Sequence, residues 1–335
     1  MPFLLLTALL APQYVTAAEE SFNYPTGGLH GQSGGSGWAN SWYSENNGIG
    51  FAGHVTFPGY DLPGNKMTTQ YEHGGNYRLI DSGPHASVTD NGIFGKDGTS
   101  IWITFMIQRE PYSDDWYGGL GLFWQFNGGE RLFMGSPYGF EEWGWDVPFT
   151  YSNPVLVPGT DCDVLATLVY RVDFQAGDER VRLWVNPPVA HPSTTADADA
   201  TVADFRFNEI RLQSGSGGMA GFSMDAIKIE YESVTPTLVL TGGCPGLVSV
   251  QGINMTPNGL VYVARASALG SFTVPAGPCT GTVLGLSGPT LLATPTADAQ
   301  GQFTLAGNLP ASLCGTVHLQ ALDAASCVSS NTVSI

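Results

Sequence analysis

Six aromatic residues stand where their rings could meet a ligand: Trp116, Tyr117, Tyr138, Trp143, Trp145 and Trp184. The first five, together with Phe140, lie in glycine-rich stretches flanked by Asp and Glu rather than in regular strands. An indole or phenol face can stack on the C–H face of a sugar ring while nearby Asp, Glu, Asn or Arg side chains bond its hydroxyls. Trp143 and Trp145, two residues apart, face the same way in an extended segment. Trp184 shares its strand side with Arg180 and Arg182, opposite Val181, Leu183 and Val185, so it could line a concave sheet face. The same rings could equally plug the ends of a fold, as large aromatics often do.

Groups for acid–base or covalent catalysis show no recognisable spacing. Glu141-Glu142-Trp-Gly-Trp-Asp146 is the densest carboxylate run. The six His residues (30, 54, 73, 85, 191 and 318) are scattered, without an H-x-x-x-H or H-E-x-x-H pair. No G-x-S-x-G elbow occurs, and no phosphate-cradling glycine loop precedes a helix. Carboxylates on separate strands could still pair at roughly 5–10 Å, but no catalytic residue is nominated. Asp197, Asp199 and Asp204 lack the glycine and closing Glu of an EF-hand loop, so they read as a solvated loop.

Positioning such rings takes a scaffold, and the composition describes it. The chain has 335 residues, 44 Gly, 22 Pro and only 12% charged residues. Glycine and proline fall between short apolar runs, where they punctuate turns. The net charge of −17 argues against nucleic acid, whose phosphates need clustered Lys and Arg. Residues 1–18 read as a secretory leader. Pro2 to Val15 is an apolar run too short to span a bilayer, and Val15-Thr-Ala17 or Thr16-Ala-Ala18 offers small residues for cleavage. No later segment is apolar enough to cross a membrane, so the expected location is secreted or cell-surface.

Cys244, Cys279, Cys314 and Cys327 fall in the last hundred residues, and an even set in an exported module predicts two disulfides. Three connectivities are open. Cys314 and Cys327 flank a predicted hairpin, which favours 314–327 with 244–279. Cys162 is left over and reads as a buried thiol.

Strand signals run throughout. Ser100–Arg109 is apolar on both faces, as a central strand should be. Residues 119–126 and 131–135 around Asn127-Gly-Gly form a predicted hairpin, and 163–174 with 180–186 another. No long stretch has helical apolar spacing, so the fold class is all-β. Near 233 the composition changes: residues 1–233 hold 11 Lys/Arg and 27 Asp/Glu, whereas 234–335 hold one Arg and two Asp. Two units are expected, 19–233 and 234–335.

The first unit resembles the concanavalin A-like (laminin-G-like) lectin/glucanase sandwiches of exported bacterial proteins. The resemblance rests on Glu20-Ser-Phe-Asn-Tyr-Pro-Thr-Gly-Gly-Leu29, Gly34-Gly-Ser-Gly-Trp38, Glu130-Arg-Leu-Phe-Met-Gly135, Val181-Arg-Leu-Trp-Val-Asn-Pro187 and Met224-Asp-Ala-Ile-Lys-Ile229. It implies a jelly-roll sandwich closed by the first and last strands. It also implies a structural calcium where they meet, held by Glu20 and Asp225 with backbone carbonyls. Glucanases of that fold carry a Glu-x-Asp-x-x-Glu run on one strand, which is absent here. The second unit resembles carboxy-terminal immunoglobulin-like modules of exported proteins, through Cys244-Pro-Gly, Thr256-Pro-Asn-Gly and Cys327-x-Ser-Ser-Asn331. The expected function is a non-catalytic, lectin-like protein whose partner is an extracellular or cell-surface glycan. The alternatives are a polysaccharide hydrolase or lyase with an atypical site, and a structural surface protein that self-assembles.

Overall fold

Apolar alternation at period two yields strands almost everywhere in the computed structural model. The structure describes residues 13–44, 53–56, 64–70, 75–111, 113–124, 129–147, 153–215, 220–233 and 235–335. Helix among these is limited to one short turn, Ala311–Leu313. The chain divides at Glu232/Ser233 into two compact units.

The first unit is a jelly-roll sandwich of two antiparallel sheets. A nine-stranded sheet has the largely apolar strand Ser100–Arg109 near its middle, between Ala166–Asp173 and Ala220–Ser233. The seven-stranded sheet runs Val155–Leu156, Gly144–Asp146, Glu130–Ser136, Tyr117–Phe123, Glu209–Gly215, Gly75–Leu79, Tyr43–Ser44. Between the sheets lie Ile101, Ile103, Phe105, Leu120, Leu122, Leu132, Met134, Ile210 and Leu212, all fully buried. These are the alternate residues of their strands, so each strand's other side faces away from this core.

The amino-terminal strand Gln13–Glu20 pairs with Ala220–Ser233, as the closure of the sheet requires. Glu19 exchanges both backbone bonds with Ser36 at 3.0 Å. The glycine run before Trp38 permits this approach. Gly37 takes φ +77°, and a Cβ there would collide with the Ala17 carbonyl. Ala17 and Ala18 are buried in the core. Residues 13–18 are therefore claimed twice, as the end of the expected leader and as a folded strand; residues 1–12 lie outside the described set.

The second unit is a smaller sandwich of two main sheets, with a further two-stranded ribbon of Leu269–Thr273 and Val283–Leu286. Thr237–Gly242, Gly246–Ile253 and Phe303–Leu309 form one sheet; Thr290–Ala293, Val261–Ala266, His318–Asp323 and Val333–Ser334 form the other. Leu238, Val250 and Phe303 meet Val261, Val263, Leu319 and Ala321 in its core. Its disulfides are Cys244–Cys314 and Cys279–Cys327, with Cα separations of 5.5 and 5.1 Å. The favoured pairing of 314 with 327 is thus corrected. His318 lies opposite Ser334 in the last hairpin, so Cys327 sits at its closed end and Cys314 precedes its open end. A six-residue strand spans about 20 Å, beyond the roughly 7 Å that a disulfide tolerates. Cys244 instead meets Cys314 because Gly246 is in register with Leu309.

Candidate functional site

Strand pairing gathers the exposed aromatics at one end of the seven-stranded sheet. Tyr117–Phe123 and Glu130–Ser136 are antiparallel, with Gly118 opposite Ser136. The residues before the first strand and after the second therefore emerge together. Gly139 N donates to Trp116 O at 2.9 Å. Trp116 is 57% exposed and Tyr138 58%, their ring centres 5.7 Å apart. Tyr117, half-buried, lies 6.2 Å from Tyr138.

Beside these rings lies a cleft of about 350 Å³ lined by Arg109, Asp114, Trp116, Phe140 and Glu141 among others. Arg109 ends the central strand. Its guanidinium bonds Asp163 at 2.5 Å and lies 3.5 Å from Glu141. The Arg109 bond holds the Asp163 carboxyl below its ordinary range, and in turn raises the guanidinium. Arg109 N donates to Cys162 O, and Cys162 N to Glu141 O, both at 2.7 Å, so the backbone at 162 fixes both charged groups. Asp115 is buried and accepts the Ser214 hydroxyl at 2.5 Å. Burial pushes the Cys162 thiol up to about 11, which agrees with its reading as an inert core residue. The arrangement offers flat apolar rings beside fixed hydrogen-bonding charges.

Three other sequence candidates are buried. Trp143 and Trp145 do face the same way, but inward: each is 1% exposed, and Trp145 meets Tyr170 edge-on. Trp184 lies on the side of its sheet away from the main core, as its arginine neighbours required. It is nonetheless covered: it stacks on Trp102 at 5.5 Å, donates Nε1 to Thr194 O, and packs in a satellite cluster with Tyr14 and Ala196. None of the three can stack on an external sugar.

The calcium expectation fails on Glu20. Its carboxylate pairs with Arg78 and accepts Tyr24 Oη at 2.5 Å, Trp42 Nε1 at 3.0 Å and the Phe22 N–H at 2.9 Å. Calcium needs six to eight oxygens, and here a guanidinium and three further donors occupy both oxygens. Asp225 is buried, accepts the Ala226 N–H at 2.7 Å, and is pushed up to about 6 by burial, then by the Glu20 charge. The residues present do not fit the ion. In the Asp197–Asp204 segment, Asp199 bonds Arg180 at 2.8 Å, Asp197 accepts the Val185 N–H, and Asp204 bonds Arg206.

The outward side of the seven-stranded sheet holds functional groups that spacing alone did not single out. In Glu209-Ile-Arg-Leu-Gln213 every second residue is polar, and Glu209, Arg211 and Gln213 face away from the core. Gln213 Nε2 donates to Glu130 Oε1 at 2.6 Å. Arg211 lies over Tyr77 and Phe123, 4.7 and 5.6 Å from the ring centres. Burial pushes the Glu130 carboxyl up to about 8, against the pull of Arg211 and Gln213 and with a further push from Asp146. The signal was present as strand alternation, but Glu130 reads in sequence as one end of a hairpin.

No protein-family model matches the chain, and no curated protein matches it. Among solved structures, an endo-1,3-beta-glucanase from Streptomyces sioyaensis aligns over 68% of this chain and 100% of its own, at 14% identity and TM-score 0.35. A glycosyl hydrolase family protein from Mycobacterium fortuitum aligns over 64% and 99%, at 10% identity and TM-score 0.33. Peanut lectin aligns over 57% and 96%, at 10% identity and TM-score 0.29.

Proposed function

We propose that this is an exported, lectin-like protein whose first unit binds an extracellular or cell-surface glycan at the cleft beside Trp116 and Tyr138. The observation that carries this reading is the pair of rings, each more than half exposed, beside the Arg109–Asp163–Glu141 cluster. The rings supply stacking, and the pinned charges supply directional bonds to hydroxyls. The apolar run at 2–15 and the two disulfides support export. The second unit would serve as a stapled, immunoglobulin-like spacer.

A glycan array probed with wild-type protein and with Trp116→Ala/Tyr138→Ala tests the reading. Losing about 1–2 kcal/mol per ring, the double variant should bind at least about 30-fold more weakly. Equal binding by both proteins, or none by wild type, would discard it. Release of reducing ends or unsaturated products from polysaccharide would shift the assignment to an enzyme.

A further inference from the structure

In the second unit a sheet of three strands faces one of four. Leu238 N donates to Asn331 Oδ1 at 2.7 Å, and Asn331 Nδ2 donates back to Leu238 O at 3.1 Å. These bonds set Thr237–Gly242 over the Val333–Ser334 end of the larger sheet. Counted from that end, Thr290–Ala293 has no strand across from it. The ribbon Leu269–Thr273/Val283–Leu286 packs on that sheet's other face, through Leu284 and Leu286 against Ala264 and Leu322. What results is a groove of about 300 Å³, with Leu292 and Ala293 on one wall and Leu305 and Leu309 on the other. Leu305 and Leu309 share a strand side with the buried Phe303, yet both stay half-buried. The two edges along the groove differ. Thr290–Ala293 is blunted, with Leu292 as an extra residue in the ladder and Pro289 and Pro295 bracketing it. Phe303–Leu309 holds unbroken register with Gly246–Ile253, carries no charge or proline, and meets no strand on its other edge among the described residues.

We propose that this open side of the second unit binds an extended segment of another polypeptide, which pairs with Phe303–Leu309 as a fourth strand and sets every second side chain, apolar, into the groove. Such a role goes beyond that of a spacer. Unpaired backbone groups along the edge supply affinity, and the groove selects side chains of one parity. A second copy of the unit cannot take this place. Thr290–Ala293 projects one strand beyond Phe303–Leu309, so it would collide with the larger sheet of any copy that brought its own edge there. The occupant is therefore a lone strand of about seven residues, with nothing layered beneath it. Its charge is set by Arg265. This residue shares a strand side with the core residue Val263 and lines the groove. Among the described residues its guanidinium bonds Thr290 Oγ1 at 3.5 Å and has no carboxylate partner. An acidic residue at the matching end of the apolar row would pair with it. The outward positions lie beside Thr304, Ala306 and Asn308, all exposed, and can be polar.

The test is fluorescence-polarisation binding of synthetic peptides to the full chain. The probe alternates leucine with serine or threonine and carries glutamate at one end or the other of the leucine row. One of the two should bind saturably. The same peptide with its alternate amides N-methylated keeps every side chain but loses the strand donors, so it should bind at least about ten-fold more weakly. Leu309→Asp puts a charge in the groove and should weaken binding at least about ten-fold, with thermal melts to establish that it folds. Arg265→Glu alters an exposed side chain, so its fold is not at stake. It should weaken the glutamate peptide by about two- to five-fold and favour a lysine version by a similar factor. Equal binding of the N-methylated peptide, or binding indifferent to both substitutions, overturns the added strand. So does the absence of binding by every peptide. Self-association of the full chain that Leu309→Asp abolishes, without peptide binding, would give the groove to a second copy and overturn the proposal as well.

Discussion

Glu20 and Asp225 look alike in sequence, each an acidic residue in a strand that closes the sheet, yet their surroundings differ. Arg78, 58 residues from Glu20, supplies the positive charge that the resemblance assigned to calcium. Sequence spacing could not reveal that partner, because Gly75–Leu79 meets Glu20 only once the sandwich closes. A buried ion pair need not add net stability, but breaking one side strands the other charge. Arg78→Met should therefore cost about 3–5 kcal/mol, and Glu20→Gln/Arg78→Met should recover part of it. Chemical denaturation of the two variants measures this. A neutral outcome for Arg78→Met, or a wild-type melting point that climbs with added calcium, would show that the carboxylate serves a metal after all. The aromatic candidates carry a related lesson. Trp116 and Trp145 sit in equally glycine-rich, acid-flanked segments, and only strand register sends one outward and the other into the core.

Among the elements, the strands with long apolar runs or clear turn signals were readable. Ser100–Arg109 appears with its expected limits, and the 166–173/179–185 hairpin pairs as its turn residues implied. The amino-terminal strand was harder to delimit, because a leader's small and apolar residues are also those of a strand tucked against a core. Ala17 and Ala18 satisfy a peptidase's taste and equally fill the space beside Gly37. The two readings give different molecules. A chain beginning at Glu19 loses the buried alanines, the strand's pairing with Ala220–Ser233, and the Tyr14 cover over Trp102 and Trp184. Several hydrogen bonds and two buried methyls amount to a few kcal/mol. Relative to a chain beginning at Gln13, the shorter form should melt about 10 °C lower and show red-shifted tryptophan fluorescence. Amino-terminal sequencing of secreted protein should find a start at or before Gln13. A secreted chain that begins at Glu19 and melts at the same temperature would remove this strand from the mature fold.

Across the whole molecule, charge and covalent linkage divide along the same boundary. The first unit holds 38 of the 41 charged residues and a core of large aromatics. The second is nearly uncharged, has a small core, and is closed by both disulfides. That split was legible from composition, but the disulfide pairing was not, because it depends on which end of a hairpin each cysteine occupies. The links enclose 70 and 48 residues, and loops of that length are worth about 4 kcal/mol each in the chain-entropy account. A core as small as the second unit's has little stability to spare beyond that. Non-reducing peptide maps should recover 244 joined to 314 and 279 joined to 327. Replacing either pair by serine should lower the melting transition of the second unit by tens of degrees or abolish it, while the first unit's transition stays in place. If a serine pair moved both transitions together, or if the maps joined 314 to 327, the second unit would not be the separately stapled body described here.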